Sequence, residues 1–173
     1  MSMCSVIASL MSRSALCRSV NDTISLVGDY LGEGGAKYKG AVKAKDGCLY
    51  GIPRCSKRIV KFDPTKPNTT SIVGGEAEEN FLCWGNGALG PDGNIYAVTE
   101  SGQILRIDLT NNSHSIIAEA PQSIQYGWYS TVKGGDGIMY FPPHNASCVM
   151  MLNLETKKRF LVGDGLGDRD WKD

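Results

Sequence analysis

Three aspartates recur in the same local context, and their carboxylates are the first groups to consider for chemistry. Each is followed by Gly, with a Tyr four residues after the Asp; the pairs are Asp46 and Tyr50, Asp92 and Tyr96, and Asp136 and Tyr140. Repeated carboxylates could bind cations. An Asp-Gly pair between apolar runs is more typical of a turn in which the Asp side chain accepts hydrogen bonds from its own backbone. We therefore interpret the aspartates as turn residues and the tyrosines as packing residues, and we predict no metal site.

A second polar position follows later in each segment, at the end of an apolar run. Asp63 and Asp108 occupy it in the first two segments, and Asn153 occupies it in the third. Such side chains commonly cap the turn that follows them. The exchange of Asp for Asn indicates a hydrogen-bonding role and argues against an essential charge.

Four aromatic residues form the candidate binding set. One stands eight residues before each recurring Asp, and a fourth continues the series: Tyr38, Trp84, Trp128 and Trp171. Trp and Tyr are favoured as anchors at binding surfaces, so these residues are candidates for contact with a ligand or partner. The alternative is that each ring packs on a neighbouring unit and recurs because the unit does.

Catalytic groups are scarce. The chain has two histidines, His114 and His144, and neither lies near a nucleophile motif. The sequence lacks GxSxG, HExxH and the phosphate-binding GxxxxGK[ST]. Its six cysteines include no CxxC pair, which predicts reduced, packed thiols and no zinc site. We predict no catalytic residue and no cofactor.

The strongest pattern in the sequence is an internal repeat. The recurring aspartates are separated by steps of 46 and 44 residues. Apolar runs follow at matching places, and each unit ends in a further run: TTSIVG at 69–74, HSIIAE at 114–119 and KRFLVG at 158–163. An additional copy of the closing run, TISLVG, begins at Thr23. A period of this length is the signature of a repeat architecture.

Each unit reads as four short β-strands. The runs are rich in Ile, Val, Tyr and Thr, are separated by turn residues, and show no helical periodicity. Four antiparallel strands in about 45 residues make one propeller blade. We predict an all-β fold, a partial β-propeller in an open arc, with blades at 28–74, 75–119 and 120–163 and the start of a fourth at 164–173. The candidate aromatics then precede the innermost strands, on the face around the central channel.

The residues also resemble a known family. DGCLYGIP at 46–53, then RIVKFDP at 58–64 and SIVG at 71–74, resembles a β-propeller repeat family from large proteins of algae, protists and some animals. The resemblance covers 24–173, with departures at Ala97–Thr99, Phe141 and Asn153. More distantly, the pattern is similar to sugar-lactone lactonases and streptogramin-lyase-like propellers. This resemblance implies a fold, and function does not follow from fold.

Two functions are compatible with the sequence. The first is a non-enzymatic propeller scaffold that binds a protein or a small molecule. The second is a lactonase-type hydrolase that holds a divalent cation in the central channel through carboxylates and amides from different blades. Its candidate ligands are non-repeating polar residues such as Glu33, Asn86 and Gln125.

The net charge and the number of blades indicate which kinds of partner the chain is expected to bind. Eighteen basic residues balance eighteen acidic ones, which disfavours a nucleic-acid partner, and no apolar run is long enough for a membrane span. Three blades do not close a ring, because closed propellers have about 4–8. The exposed end blades predict either self-association of two copies or a piece of a longer propeller.

The first 22 residues are assigned to a tail that is disordered or targeting-like. Residues 1–20 are rich in Ser, contain Arg13 and Arg18, and lack acidic residues, as organelle transit peptides do. The segment lacks the apolar core of a secretory signal, so an intracellular location is favoured.

Overall fold

The computed structural model describes residues 16–20, 23–32, 34–75, 84–99, 102–119 and 127–163. Every regular element in these ranges is a β-strand, and none is a helix that could cross a membrane. Strands β1 (Leu16–Val20) and β2 (Thr23–Val27) form a hairpin. Three four-stranded sheets follow. The first sheet contains β3 (Tyr38–Lys43), β4 (Leu49–Pro53), β5 (Ile59–Phe62) and β6 (Thr70–Val73), and the second contains β7 (Trp84–Leu89), β8 (Ile95–Thr99), β9 (Ile104–Asp108) and β10 (Ser113–Ala118). The third sheet contains β11 (Val132–Lys133), β12 (Ile138–Phe141), β13 (Val149–Asn153) and β14 (Arg159–Val162).

Each of the three sheets is an antiparallel meander. Strands pair in chain order, so consecutive strands are neighbours and the last strand of each sheet is an edge. The three four-stranded sheets confirm the predicted fold class.

Tight turns join the first two strands of every sheet. The Gly of each Asp-Gly pair has a positive φ, 81° at Gly47, 86° at Gly93 and 80° at Gly137. Residues with a Cβ rarely adopt this conformation, which is why Gly recurs there.

The chain divides into two compact units, Met1–Cys83 and Trp84–Asp173. In the first unit, Tyr38, Val60 and Phe62 form a small apolar cluster. In the second unit, apolar residues of the second and third sheets form one larger core; it includes Tyr96, Val98, Ile104, Trp128, Met139, Phe141, Met150 and Leu152. Two sheets therefore bury their facing surfaces against each other, as neighbouring propeller blades do.

The structure differs from two details of the sequence prediction. Strand β1 lies within the segment assigned to the tail, because that segment pairs with the closing run of β2. Tyr38 and Trp84 do not precede their strands but begin them, pairing with Pro53 and Thr99 across a bulge. A bulge inserts extra residues between ladder positions, so the paired strand extends further than the apolar run indicates.

Some predictions fall on residues outside the described ranges. Residues 1–15 of the tail and the whole of 164–173, predicted to start a fourth blade, are among them. The predicted blade boundaries and the open arc stay predictions.

Candidate functional site

The recurring Asp and Tyr residues bond to each other at the turn of every sheet. The Tyr hydroxyl donates to the Asp carboxylate at 2.8 Å from Tyr50 to Asp46, at 2.8 Å from Tyr96 to Asp92 and at 2.5 Å from Tyr140 to Asp136. The other carboxylate oxygen accepts the backbone N–H two residues on, from Cys48, Asn94 and Ile138. The interpretation as turn residues is confirmed. The bond to Tyr was missed, although the constant spacing of four residues was its signal.

The second polar position also caps a turn in each sheet. Asp63 accepts the N–H of Thr65, Asp108 accepts those of Thr110 and Asn111, and Asn153 accepts those of Glu155 and Thr156. Since Asn153 accepts the N–H two residues on, as both aspartates do, the capping interpretation is confirmed. The carboxylates at both recurring positions thus have structural hydrogen bonds.

A cation joins the Asp and Tyr pair in the first sheet. Lys61 Nζ lies 3.0 Å from Asp46 Oδ2 and 5.4 Å from the centre of the Tyr50 ring. Burial opposes ionisation of Asp46, but the hydrogen bonds from Lys61, the Cys48 N–H and Tyr50 outweigh it and lower the pKa of Asp46 from 3.8 to about 2. The hydrogen bonds with Tyr50 and Asp46 raise the pKa of Lys61. The ion pair is therefore formed throughout the neutral range.

Cross-strand pairing extends each of these pairs into a row of four side chains on one face of the sheet. The rows are Val42, Tyr50, Lys61 and Ser71 in the first sheet, Ala88, Tyr96, Arg106 and Ser115 in the second, and Val132, Tyr140, Met151 and Phe160 in the third. Directly opposed residues of an antiparallel pair point to the same face. The third row therefore has apolar residues where the other two have a cation and a Ser.

The candidate binding aromatics are placed differently from one another. Trp128 is 1 % exposed, belongs to the core of the second unit, and donates from Nε1 to the Cys148 carbonyl at 3.1 Å. Tyr38 is buried in the cluster of the first unit. Burial favours the packing alternative for these two residues. Trp84 begins strand β7, and Trp171 lies outside the described residues. A binding role for these two stays a prediction.

The structure brings no metal-ligand set together in the residues it describes. No group of three His, Cys, Asp or Glu side chains lies close enough there to hold an ion. Asn86, one of the amides considered for a channel cation, is exposed and its backbone N–H bonds to the Tyr129 carbonyl. Glu33 and Gln125 lie outside the described ranges.

An open groove lies at the outer hairpin of the third sheet, in the second unit. It has a volume of about 460 Å³ and is lined by Met150, Lys157, Lys158, Arg159, Phe160 and Leu161. Three consecutive cations thus stand beside apolar residues on the edge strand. The sequence analysis did not predict this groove. Three consecutive basic residues are common on protein surfaces, and only the β13–β14 hairpin shows that they lie next to exposed apolar side chains.

The comparisons with known proteins concern the fold. No protein-family model matches the sequence, and no curated protein matches it. Virginiamycin B lyase from Staphylococcus aureus matches 92 % of this chain at a TM-score of 0.74 and 12 % identity, over 51 % of its own length. A streptogramin B lyase structure matches 82 % of the chain at a TM-score of 0.63 and 15 % identity, over 44 % of its own length.

A third similar structure is that of a binding protein. An auxiliary nutrient binding protein from Bacteroides thetaiotaomicron matches 94 % of the chain at a TM-score of 0.58 and 14 % identity, over 44 % of its own length. The chain thus spans about half the length of the structures that it matches. At such low identities the similarity shows the fold alone, and the algal repeat family stays a prediction. The chain is a partial β-propeller, similar in fold to the streptogramin B lyases.

Proposed function

We propose that the chain is a non-enzymatic β-propeller scaffold that binds an acidic, extended peptide along edge strand β14. The observation that carries the proposal is the groove at this strand, with Lys157, Lys158 and Arg159 beside Phe160 and Leu161. None of the three cations forms an ion pair with a described residue. Their charge is therefore available to an acidic partner.

The backbone of β14 supplies the second part of the recognition. Among the described strands β14 pairs only with β13, so no other described strand bonds to the N–H and C=O groups on its other side. An extended peptide can add to such an edge as a further strand. Side chains alternate along the strand, so Arg159 and Leu161 point to one face and Lys158 and Phe160 to the other. A peptide in which two adjacent acidic residues adjoin two adjacent apolar residues would match both faces, since it places one of each kind on either side.

The non-enzymatic part of the proposal is supported by how the carboxylates are used. Asp46, Asp92 and Asp136 are bonded to a Tyr and a backbone N–H of their own sheets. The pKa of each of these carboxyl groups is lowered, which makes it a weaker general base.

The test of binding uses a labelled acidic peptide in which Glu-Glu and Val-Val pairs alternate, followed by fluorescence anisotropy. We expect saturable binding that weakens with salt, and a loss of affinity of about tenfold or more in the double variant Lys157→Glu and Arg159→Glu. The matched control is Lys43→Glu with Lys45→Glu, the same charge change at exposed residues of the first sheet. Equal weakening in both double variants would show a general charge effect and contradict the proposal.

The alternative function is tested by calorimetric titration with Ca²⁺. A lactonase-type site would bind the cation tightly, because its carboxylates would be arranged for it before the metal arrives. The proposal expects no saturable heat of binding at micromolar protein. Tight binding at a single site would overturn the non-enzymatic interpretation while leaving peptide binding to be judged by its own variants.

A further inference from the structure

The last strands of the three sheets differ in how well they could accept an added strand. In the first sheet, Asp29 Oδ2 accepts the Thr70 N–H at 2.8 Å, so a side chain already bonds to the start of β6. In the second sheet, a bulge between Ile116 and Ala118 interrupts the register of β10. Strand β14 pairs with β13 in an unbroken register. Bulges and covering groups hinder edge pairing, so β14 is the best suited of these three edges.

One hydrogen bond identifies which backbone groups of β14 face away from β13. Asn153 directly opposes Lys158 in the register of the two strands, and its N–H donates to the Lys158 carbonyl at 3.0 Å. Directly opposed residues of an antiparallel pair alternate between bonded and non-bonded pairs. Phe160 therefore bonds toward β13, as Lys158 does, whereas the N–H and C=O groups of Arg159 and Leu161 point away from it. An added strand would bond to the backbone of these two residues.

The side chains give the edge of β14 a direction. The cations Lys158 and Arg159 come first along the chain, and Phe160 and Leu161 follow them. Glu155 is the acidic residue of the preceding turn, three positions before Lys158. The edge is thus cationic where β14 begins and apolar further along. A parallel peptide would match it with acidic residues first, and an antiparallel peptide with apolar residues first.

We infer that the acidic peptide adds to β14 antiparallel, with two apolar residues followed by two acidic ones. The inference rests on the proposed function and specifies the sequence order and register of the peptide. In this direction the peptide residues opposite Leu161 and Arg159 each exchange two hydrogen bonds with β14. Directly opposed side chains lie closest together, so the two acidic residues meet Arg159 and Lys158. Parallel pairing is slightly less stable per residue and lacks this direct opposition.

The first test compares two peptides of identical composition on the unmodified chain. Ser-Val-Val-Glu-Glu-Ser and its reverse, Ser-Glu-Glu-Val-Val-Ser, are acetylated and amidated to remove terminal charges, and they compete as unlabelled peptides against the labelled one. We expect the first to bind about fivefold or more tightly than the second. Equal binding of both orders, or tighter binding of the reverse, would overturn the inferred direction while the proposed function stands. The labelled peptide contains both orders, so its failure to bind would overturn the proposed function and this inference together.

The second test removes single backbone donors from Ser-Val-Val-Glu-Glu-Ser. N-methylation of the first glutamate deletes the N–H that would donate to the Arg159 carbonyl, and it should weaken binding about tenfold or more. The matched control is N-methylation of the second valine, which opposes Phe160 and directs its N–H away from β14. It should change the affinity by less than about threefold. Because only the peptide is altered, the fold of the protein is the same throughout. Equal weakening by the two methyl groups would contradict the inferred register.

Discussion

Asp46 is a candidate cation ligand in the sequence and has a structural role in the fold. Its carboxylate accepts hydrogen bonds from Tyr50, Lys61 and the Cys48 N–H. The third sheet keeps the equivalent Tyr and backbone bonds at Asp136 but has Met151 in place of the lysine. The hydrogen bonds of the turn are thus present in both sheets, whereas the ion pair with a lysine is present in the first sheet and absent from the third.

Lys61→Met is therefore a natural test, since it gives the first sheet the residue that the third sheet has. We expect a loss of about 0.5–1 kcal/mol in the free energy of unfolding at pH 7, because the pair is partly exposed. The pKa of Asp46 is lowered from 3.8 to about 2, so the ion pair stabilises the fold above pH 4 and this contribution is lost as the pH falls toward 2.

The measurement is chemical denaturation of both proteins from pH 7 to pH 2, with an NMR titration of Asp46. The difference in stability should shrink across the acid range, and the pKa of Asp46 should rise toward 3.8 in the variant. Lys43→Met, at an exposed position of β3, is the control and should change neither. A difference in stability that persists undiminished at pH 2 would show that Lys61 acts through packing and not through its charge.

At the level of the strand, close approach between two sheets depends on a single glycine. Gly85 is buried in β7, and a Cβ placed on it would lie 2.2 Å from the Tyr129 carbonyl oxygen. The next residue, Asn86, donates its N–H to that same carbonyl at 3.1 Å. Because the obstacle is backbone, it cannot rotate away as a side chain would.

Gly85→Ala should therefore destabilise the second unit by about 1–3 kcal/mol, the usual cost of overpacking a fitted contact. Gly135→Ala is the matched control, since Gly135 lies at an exposed turn and a Cβ there meets nothing within 4 Å. It should change stability by less than about 0.5 kcal/mol. Thermal and urea unfolding measure both. Equal stability of the two variants would mean that β7 and the Tyr129 segment separate without cost.

Strands and turns were the part of the fold that the sequence predicted well. Short β-branched and aromatic runs ending in Asp-Gly indicate a hairpin through local chemistry alone, and β3 to β6 follow them closely. The bulges after Tyr38 and Trp84, and strand β1, depend on pairing between segments that are each weakly patterned. The apolar row of the third sheet was missed for the same reason, since Met151 and Phe160 become neighbours only through strand register.

For the whole molecule, the repeat fixed the architecture while the candidate site depended on differences between the repeats. Trp128 is a repeated residue and is buried as Tyr38 is. The cations around β14 belong to the third sheet and have no equivalent in the closing runs TTSIVG and HSIIAE. A repeated residue is needed by every sheet and is therefore structural in most cases. The proposal for β14 therefore depends on residues that depart from the repeat, whereas the four aromatics were chosen because they recur.

A meander of four strands also predicts an order of backbone stability throughout the chain. The middle strands β8 and β9 are buried along most of their length, whereas the edge strands β10 and β14 are mostly or wholly exposed. Amides of the middle strands should exchange with solvent at least about a hundredfold more slowly than those of the edges, because edges open locally without unfolding the sheet. Hydrogen exchange followed by mass spectrometry measures this in all three sheets at once. Protection of β14 equal to that of β12 would mean that its edge is already occupied in the free protein, and an edge so occupied would be closed to an added peptide.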